Sequence, residues 1–435
     1  MTVTERSDGL RILLLVNSFP WPLTSGYLRH YHLIRELSAR GHRISLLAIV
    51  PAGFAPEDRA QLEPFTERII TVDSHRRTRS IRRRAERRIG SMSVGESAVR
   101  RLRGEVAALL AEVPHDVVLF SGKRTYPALK AAAGLPLVAD VCDATSSRIR
   151  GNLHYVSAAR FPLLLAEYVE VRRIERALLR RRAHLLFASV RDRDALIDPS
   201  SGAHASVLPN GVDLAYWQRT AGSTLGRNEV VFTGAMDYPP NSDAALVLIR
   251  QILPRVRASI PDAHLSIVGR DPTAELVRAG GTPGVTVTGL VPDVRPYLEA
   301  AAVFAAPLRF GAGIQNKVLE ALAMEVPTVT SPNGAGGLVT TEGVRPPLTV
   351  APASEPVRFA AAIVERLREA EHDPTPRTEG REFVERHFSW ERSGDLLDRV
   401  LRETAAGGDP PAGDTSAGGS GQAEVASIDG SPGPL

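Results

Sequence analysis

Two kinds of hydrophobic pattern alternate along the chain. Arg11-Ile-Leu-Leu-Leu-Val16 is an unbroken apolar run, as expected of a strand buried on both faces of a parallel sheet. A loop with two prolines follows over Asn17 to Ser25 and ends at Gly26. Tyr27, Tyr31, Ile34 and Leu37 then recur at helical spacing, Gly41 sits where a helix C-terminal glycine belongs, and Ile44 to Val50 is the next apolar run. This predicts a βαβ unit with Gly26 at its first strand-to-helix turn, where free backbone N–H groups can meet a phosphate. Further strands are predicted at Asp116–Phe120, Leu135–Asp140 and His184–Val190. A long amphipathic helix fits Phe161–Arg182, where apolar residues fall at 161, 164, 168, 171, 174 and 178.

The segment Val207-Leu-Pro-Asn-Gly-Val-Asp213 is turn chemistry, and residues 215–228 are polar, so a domain boundary is predicted after residue 213. The second half restarts the pattern. Val230–Thr233, His264–Val268, Val285–Thr288, Val303–Ala306 and Thr328–Thr330 read as short strands, with helices over Asn241–Arg257 and Gln315–Met324. Two successive βα-repeating halves predict two doubly wound α/β lobes, with a ligand site in the cleft at the C-terminal ends of the strands. In the last 31 residues, 405–435, 12 are Gly or Pro and none is aromatic, which predicts a disordered tail.

Composition narrows the class. At 435 residues, with 43% apolar and 23% charged side chains, the chain reads as soluble and globular, with length enough for two full cores. A single cysteine, Cys142, excludes an intrachain disulfide framework. The apolar run near the start is only five residues, Ile12 to Val16, too short for a signal peptide, and no stretch approaches the ~20 apolar residues of a membrane helix. A cytoplasmic location is expected. The net charge of +4 hides an asymmetry. Residues 1–213 carry 33 basic and 22 acidic side chains, net +11, and the rest is net −7. Eight arginines lie between Arg76 and Arg88, which can dock on an anionic membrane surface or simply form a solvated loop. No aromatic residue interleaves them, so nucleic acid is not an expected partner.

The strongest chemical signal is Phe310-Gly-Ala-Gly-Ile-Gln-Asn-Lys-Val-Leu-Glu-Ala-Leu-Ala-Met324. Gly311 and Gly313 let the backbone approach a ligand closely. A helix beginning near Ile314 then points its N-terminus at that ligand, a place suited to a diphosphate. Asn316 and Lys317 lie in its first turn, Lys317 being the only lysine after residue 130, and Glu320 stands one turn on from Asn316. His30 and His32 show no spacing with acidic partners that would hold a metal, so none is expected.

This segment, together with Pro209–Asp213 and His387-Phe-Ser-Trp-Glu391, resembles the family-4, GT-B-fold retaining glycosyltransferases over about residues 10–404. Phe232-Thr-Gly-Ala-Met-Asp237 and Pro240-Asn-Ser-Asp-Ala244 are similar to a branch associated with exopolysaccharide and cell-surface assembly. The resemblance implies two Rossmann-like lobes facing a cleft. Residues 1–213 would form an acceptor-side lobe and 214–388 a nucleotide-sugar lobe, with a helix over 389–404 returning to the first. It also implies transfer of a hexose from a nucleotide diphosphate sugar, the co-substrate, to a hydroxyl acceptor with retention, and no further cofactor. Glu320 would hold the ribose diol. Lys317, Arg309 and Arg270 would clamp the diphosphate, with Gly26, Gly311, Gly313, Ile314 and Asn316 completing the donor site. Asp143, at the end of a strand facing the cleft, would accept the acceptor's proton or hold a sugar hydroxyl, or else serve as a helix N-cap. Lys317 would be the second catalytic group.

The family often carries a glutamate where this chain has Ala312, and often follows the first strand of the second lobe with Gly-Arg, where this chain has Gly234-Ala-Met-Asp237. A nucleotide-sugar epimerase and a non-catalytic partner subunit share the same fold, and both stay open at this point.

Overall fold

The computed structural model describes residues 9–21, 28–74, 96–152, 161–311 and 313–407. Gly26, the Arg76–Arg88 run, Ala312 and all but the start of the expected tail lie outside these residues.

The first sheet is parallel and seven-stranded. Its strands are β1 (Arg11–Val16), β2 (Arg43–Val50), β3 (Arg68–Asp73), β4 (Val117–Ser121), β5 (Leu137–Cys142), β6 (His184–Phe187) and β7 (Ala205–Val207), in spatial order β3-β2-β1-β4-β5-β6-β7. The order reverses between β1 and β4, which opens a crevice at their C-terminal ends. Ile12, Leu14 and Ile44 face one side of the sheet, and Leu13, Leu15 and Leu47 the other, all fully buried. This is why β1 and β2 read as unbroken apolar runs rather than alternating ones.

The second sheet repeats the plan with β8 (Glu229–Thr233), β9 (His264–Val268), β10 (Val285–Val287), β11 (Val303–Ala306), β12 (Thr328–Thr330) and β13 (Thr349–Val350), ordered β10-β9-β8-β11-β12-β13. The helix expected over Asn241–Arg257 is not uniform. It runs Pro239–Val247, widens into a π turn over Leu248–Ile252, and resumes as Leu253–Arg257. Pro254 accounts for the widening, since it lacks an N–H and its ring clashes with the carbonyl four residues back.

Two motifs distant in sequence meet where the chain passes between lobes. The Val212 N–H donates to the Phe388 carbonyl at 2.7 Å, Val212 bridges to Ser389, and the Ser393 hydroxyl donates to the Pro209 carbonyl at 3.0 Å. Gly211 is required there, because a Cβ would stand 2.4 Å from the Trp390 nitrogen. From this crossing the helix Trp390–Ala405, capped by the Ser389 hydroxyl, runs back over the first lobe. It buries Trp390, Leu397, Val400 and Leu401 against the core of Ile12, Leu14 and Ile34.

Candidate donor site in the cleft

The helix Asn316–Ala323 sits behind a loop in which Gly311 (φ +129°) and Gly313 (φ +75°) hold left-handed conformations that other residues resist. The loop delays the helix start to Asn316, two residues beyond the expected Ile314. Val318, Leu319, Ala321 and Leu322 bury against the second core, so the helix turns Asn316, Lys317 and Glu320 toward the cleft side, each half-buried. The loop after β8 closes on the same point. A Cβ on Gly234 would lie 2.7 Å from Asn241 Nδ2 and 3.3 Å from Lys317 Cε, so only glycine lets this backbone pass beside the lysine.

Lys317 and Glu320 are poorly compensated. Lys317 Nζ donates to Gln315 Oε1 at 3.2 Å. Among the described residues no hydrogen bond reaches the Glu320 carboxylate. Burial pulls the Lys317 ammonium down to about 8 and pushes the Glu320 carboxyl up to about 7, each shift opposed by the other's charge. A carboxyl and an amine brought toward neutrality beside a glycine loop make this a candidate functional site.

The two arginines expected as clamps follow β11 and β9, the strands on either side of β8, and are held on carboxylates. Arg309, three residues beyond β11, grips Asp243 through two hydrogen bonds, the Nε one at 2.8 Å. Arg270, two residues beyond β9, pairs with Asp271 and lies 3.8 Å from Asp237. Both side chains are more than a third exposed, so each can exchange its carboxylate for a phosphate at small cost.

On the opposite wall β5 ends at Cys142, whose φ of +64° turns the chain into the helix Thr145–Asn152. Asp143 accepts from Arg148 Nε at 3.0 Å and from the Thr145 hydroxyl, and lies 4.0 Å from Lys123. The N-terminal amides of this helix are met from elsewhere. Ala144 N–H donates to Asp192 at 3.4 Å and Ser146 N–H to the buried Glu175 at 3.2 Å. Burial pushes the Cys142 thiol up to about 12, which leaves it a packing residue. Tyr238, from the second lobe, lies within the electrostatic reach of both Arg148 and Asp143, and burial raises its phenol.

Sequence reasoning missed the central polar pair. Arg29 and Asp140 are both 5% exposed and joined by two hydrogen bonds, at 2.8 and 2.9 Å. Arg29 falls in one helical row with Leu33 and Leu37, and an arginine on an apolar stripe is the signal that was available. Arg191 was missed as well. It reaches across the cleft to the Gly313 carbonyl at 3.2 Å and the Asn333 carbonyl at 3.5 Å. His30 bonds Ser121 Oγ at 2.6 Å and His32 stacks on Trp390 at 4.6 Å. Among the described residues no three His, Cys, Asp or Glu side chains group as a metal would require, and no helix is long and apolar enough to cross a membrane.

The chain is similar in structure to Anabaena HepE crystallised with UDP and glucose, at 16% identity over 91% of this chain and 100% of that one, TM-score 0.61. It is similar to sucrose-phosphate synthase from Thermosynechococcus elongatus, at 17% identity over 91% and 100%, TM-score 0.65. It is also similar to a UDP-forming trehalose-phosphate synthase from Burkholderia xenovorans, at 12% identity over 91% and 99%, TM-score 0.58. At these identities the likeness establishes the fold, the GT-B arrangement of two Rossmann-like lobes. No curated protein matches the chain. Residues 227–369, the lobe that carries Gly234, Lys317 and Glu320, match the family described as glycosyl transferases group 1.

Proposed function

We propose that this protein is a glycosyltransferase that moves a hexosyl group from a nucleoside diphosphate sugar to a hydroxyl acceptor, retaining the anomeric configuration. One observation carries the reading: the lobe that matches a glycosyltransferase family also holds the under-compensated Lys317 and Glu320 behind the Gly311–Gly313 loop. Residues 214–388 serve as the donor lobe and 1–213 as the acceptor lobe, with 389–404 returning to brace the latter.

In this scheme Glu320 accepts the ribose hydroxyls and gains the hydrogen bonds it otherwise lacks. The diphosphate docks on the amides of the helix that begins at Asn316, and Lys317, Arg309 and Arg270 offset its charge without a metal. Charge grows on the leaving phosphate oxygens as the glycosidic bond breaks, so these groups bind the transition state more tightly than the ground state. The leaving diphosphate takes the acceptor's proton. Asp143, fixed by Arg148 and Thr145, orients the acceptor hydroxyl. UDP is the first donor nucleotide to test, because HepE was crystallised with UDP and the Burkholderia enzyme is UDP-forming. The +11 charge of residues 1–213 suits a glycan or lipid-linked acceptor at an anionic cytoplasmic membrane face, with a small soluble acceptor as the alternative.

Incubation with UDP- and GDP-sugars and an acceptor panel tests the reading. Nucleotide release coupled to a new glycoside is expected. An epimerised sugar, or no turnover of any donor, overturns it.

A further inference from the structure

The buried Arg29–Asp140 pair has a third connection. Arg29 Nη1 donates to Asn210 Oδ1 at 2.9 Å, and Asn210 Nδ2 donates to Asn316 Oδ1 at 3.0 Å. The chain of bonds therefore runs from the first lobe, through the Pro209–Asp213 crossing, to the first residue of the helix behind the glycine loop. It joins positions 181 and then 106 residues apart in sequence.

Its direction is fixed by chemistry. A guanidinium has only donors and does not lose its proton at any ordinary pH. Asn210 must therefore turn its oxygen to Arg29 and its NH2 to Asn316. Asn316 must in turn present its oxygen to Asn210, leaving its own NH2 as the free end. Among the described residues no acceptor meets Asn316 Nδ2. Asp140 holds Arg29 in place with both oxygens, so the first member of the series cannot rotate away.

We infer that Arg29, Asp140 and Asn210 are positioning residues that hold the Asn316 amide with its two donors toward the cleft, for the phosphate oxygens of a nucleoside diphosphate. The inference rests on the donor-site reading above. It adds that the acceptor lobe dictates which end of Asn316 the donor meets, so a correct donor pocket depends on residues that never touch the donor. The relay also crosses between lobes, so phosphate binding at Asn316 and the relative placement of the lobes are linked through the same bonds.

Asn210→Asp separates relay from scaffold. A carboxylate keeps an acceptor for Arg29 but has no donor for Asn316, whose amide must then swing its NH2 to the new group and turn its oxygen toward the phosphates. UDP, GDP, ADP and dTDP are titrated against wild type, and the tightest binder and its parent nucleoside are carried to the variants. The expected result is an unchanged melting temperature, unchanged nucleoside affinity, and a roughly 10- to 100-fold loss of nucleoside diphosphate affinity. The same substitution in an Asn316→Ala background must cost almost nothing further, because the group it acts through is gone. A loss that persists in that background is simple charge repulsion and overturns the relay, as does an undiminished affinity in Asn210→Asp alone. Should Asn210→Asp fail to fold, Asn316→Asp serves instead, since an acid is favourable at a helix start. Undiminished diphosphate affinity there overturns the relay equally. A wild type that binds none of the four nucleotides overturns the donor-site reading itself, a different outcome from either.

Discussion

The two walls of the cleft each carry a pair of opposite charges, and the pairs are in opposite states. Arg29 and Asp140, on the first-lobe side, are 5% exposed and fully engaged with each other and with Asn210. Lys317 and Glu320, on the second-lobe side, are half-buried, share no hydrogen bond, and are drawn toward neutrality at about 8 and about 7. Burial of a charge is tolerated where partners surround it, and where they do not the group is left with capacity for a ligand. The first pair is satisfied within the fold; the second lacks partners, as the proposed donor site requires.

The comparison breaks most visibly in stability. Arg29→Met strands the Asp140 carboxylate in the interior and should cost about 3–5 kcal/mol in denaturant unfolding. Lys317→Met removes a group already penalised by burial, and Glu320 can take up a proton, so the cost should stay below about 1 kcal/mol. Equal losses would erase the distinction between the two walls.

The next effect lies in pH. Glu320 gains a proton as pH falls below about 7, losing its capacity to accept two hydroxyls, and Lys317 loses one as pH rises above about 8. Nucleoside diphosphate affinity should therefore peak between these values. It should fall toward tenfold per pH unit on either side, as one proton per group demands. Titration calorimetry from pH 5.5 to 9.5 checks this. Affinity flat across that range would mean neither group meets the nucleotide.

The smallest expected change in stability is at the rim. Arg309→Gln breaks an exposed pair with Asp243 and should move unfolding by less than about 1 kcal/mol. Transfer rate should nevertheless fall while nucleoside binding holds, because the arginine answers charge that grows at the transition state. A rate as high as wild type removes Arg309 from the clamp.

What the sequence reveals of this molecule follows from locality. The apolar runs and helical spacing are enough for β1, β2, β4–β6 and β8–β12, because each of these strands carries its burial in its own residues. The edge strands β3, β7 and β13, which are short or only partly buried, are not predicted. Phe310–Met324 is legible as a candidate anion site because loop, helix start, lysine and glutamate are contiguous. Arg29 and Asp140 are 111 residues apart, and Asn210 and Asn316 are 106 apart. The first pairing exists only once the first lobe has folded and the second only once both lobes have, so a local pattern can flag Arg29 as buried but cannot name its partner. Glu175 is a further case: it reads as one more charge on a long helix, yet it is 1% exposed and accepts from the Ser146 amide. Pro254 is a different case: its cause is local, yet the spacing alone carried one helix through Asn241–Arg257, and the π turn over Leu248–Ile252 was not expected.

The central claim is that the second-lobe pair is a nucleotide site, and one titration series reaches it most directly. Wild type and Glu320→Ala are titrated with UDP, GDP, ADP and dTDP at pH 7.5, with melting temperatures recorded for both. The account predicts that wild type binds at least one nucleotide. It further predicts that the variant melts no lower and binds that nucleotide about 10- to 150-fold more weakly, the loss of hydrogen bonds to a charged group worth ~1.5–3 kcal/mol. A folded Glu320→Ala that binds as tightly as wild type, or a wild type that binds none of the four, would contradict it.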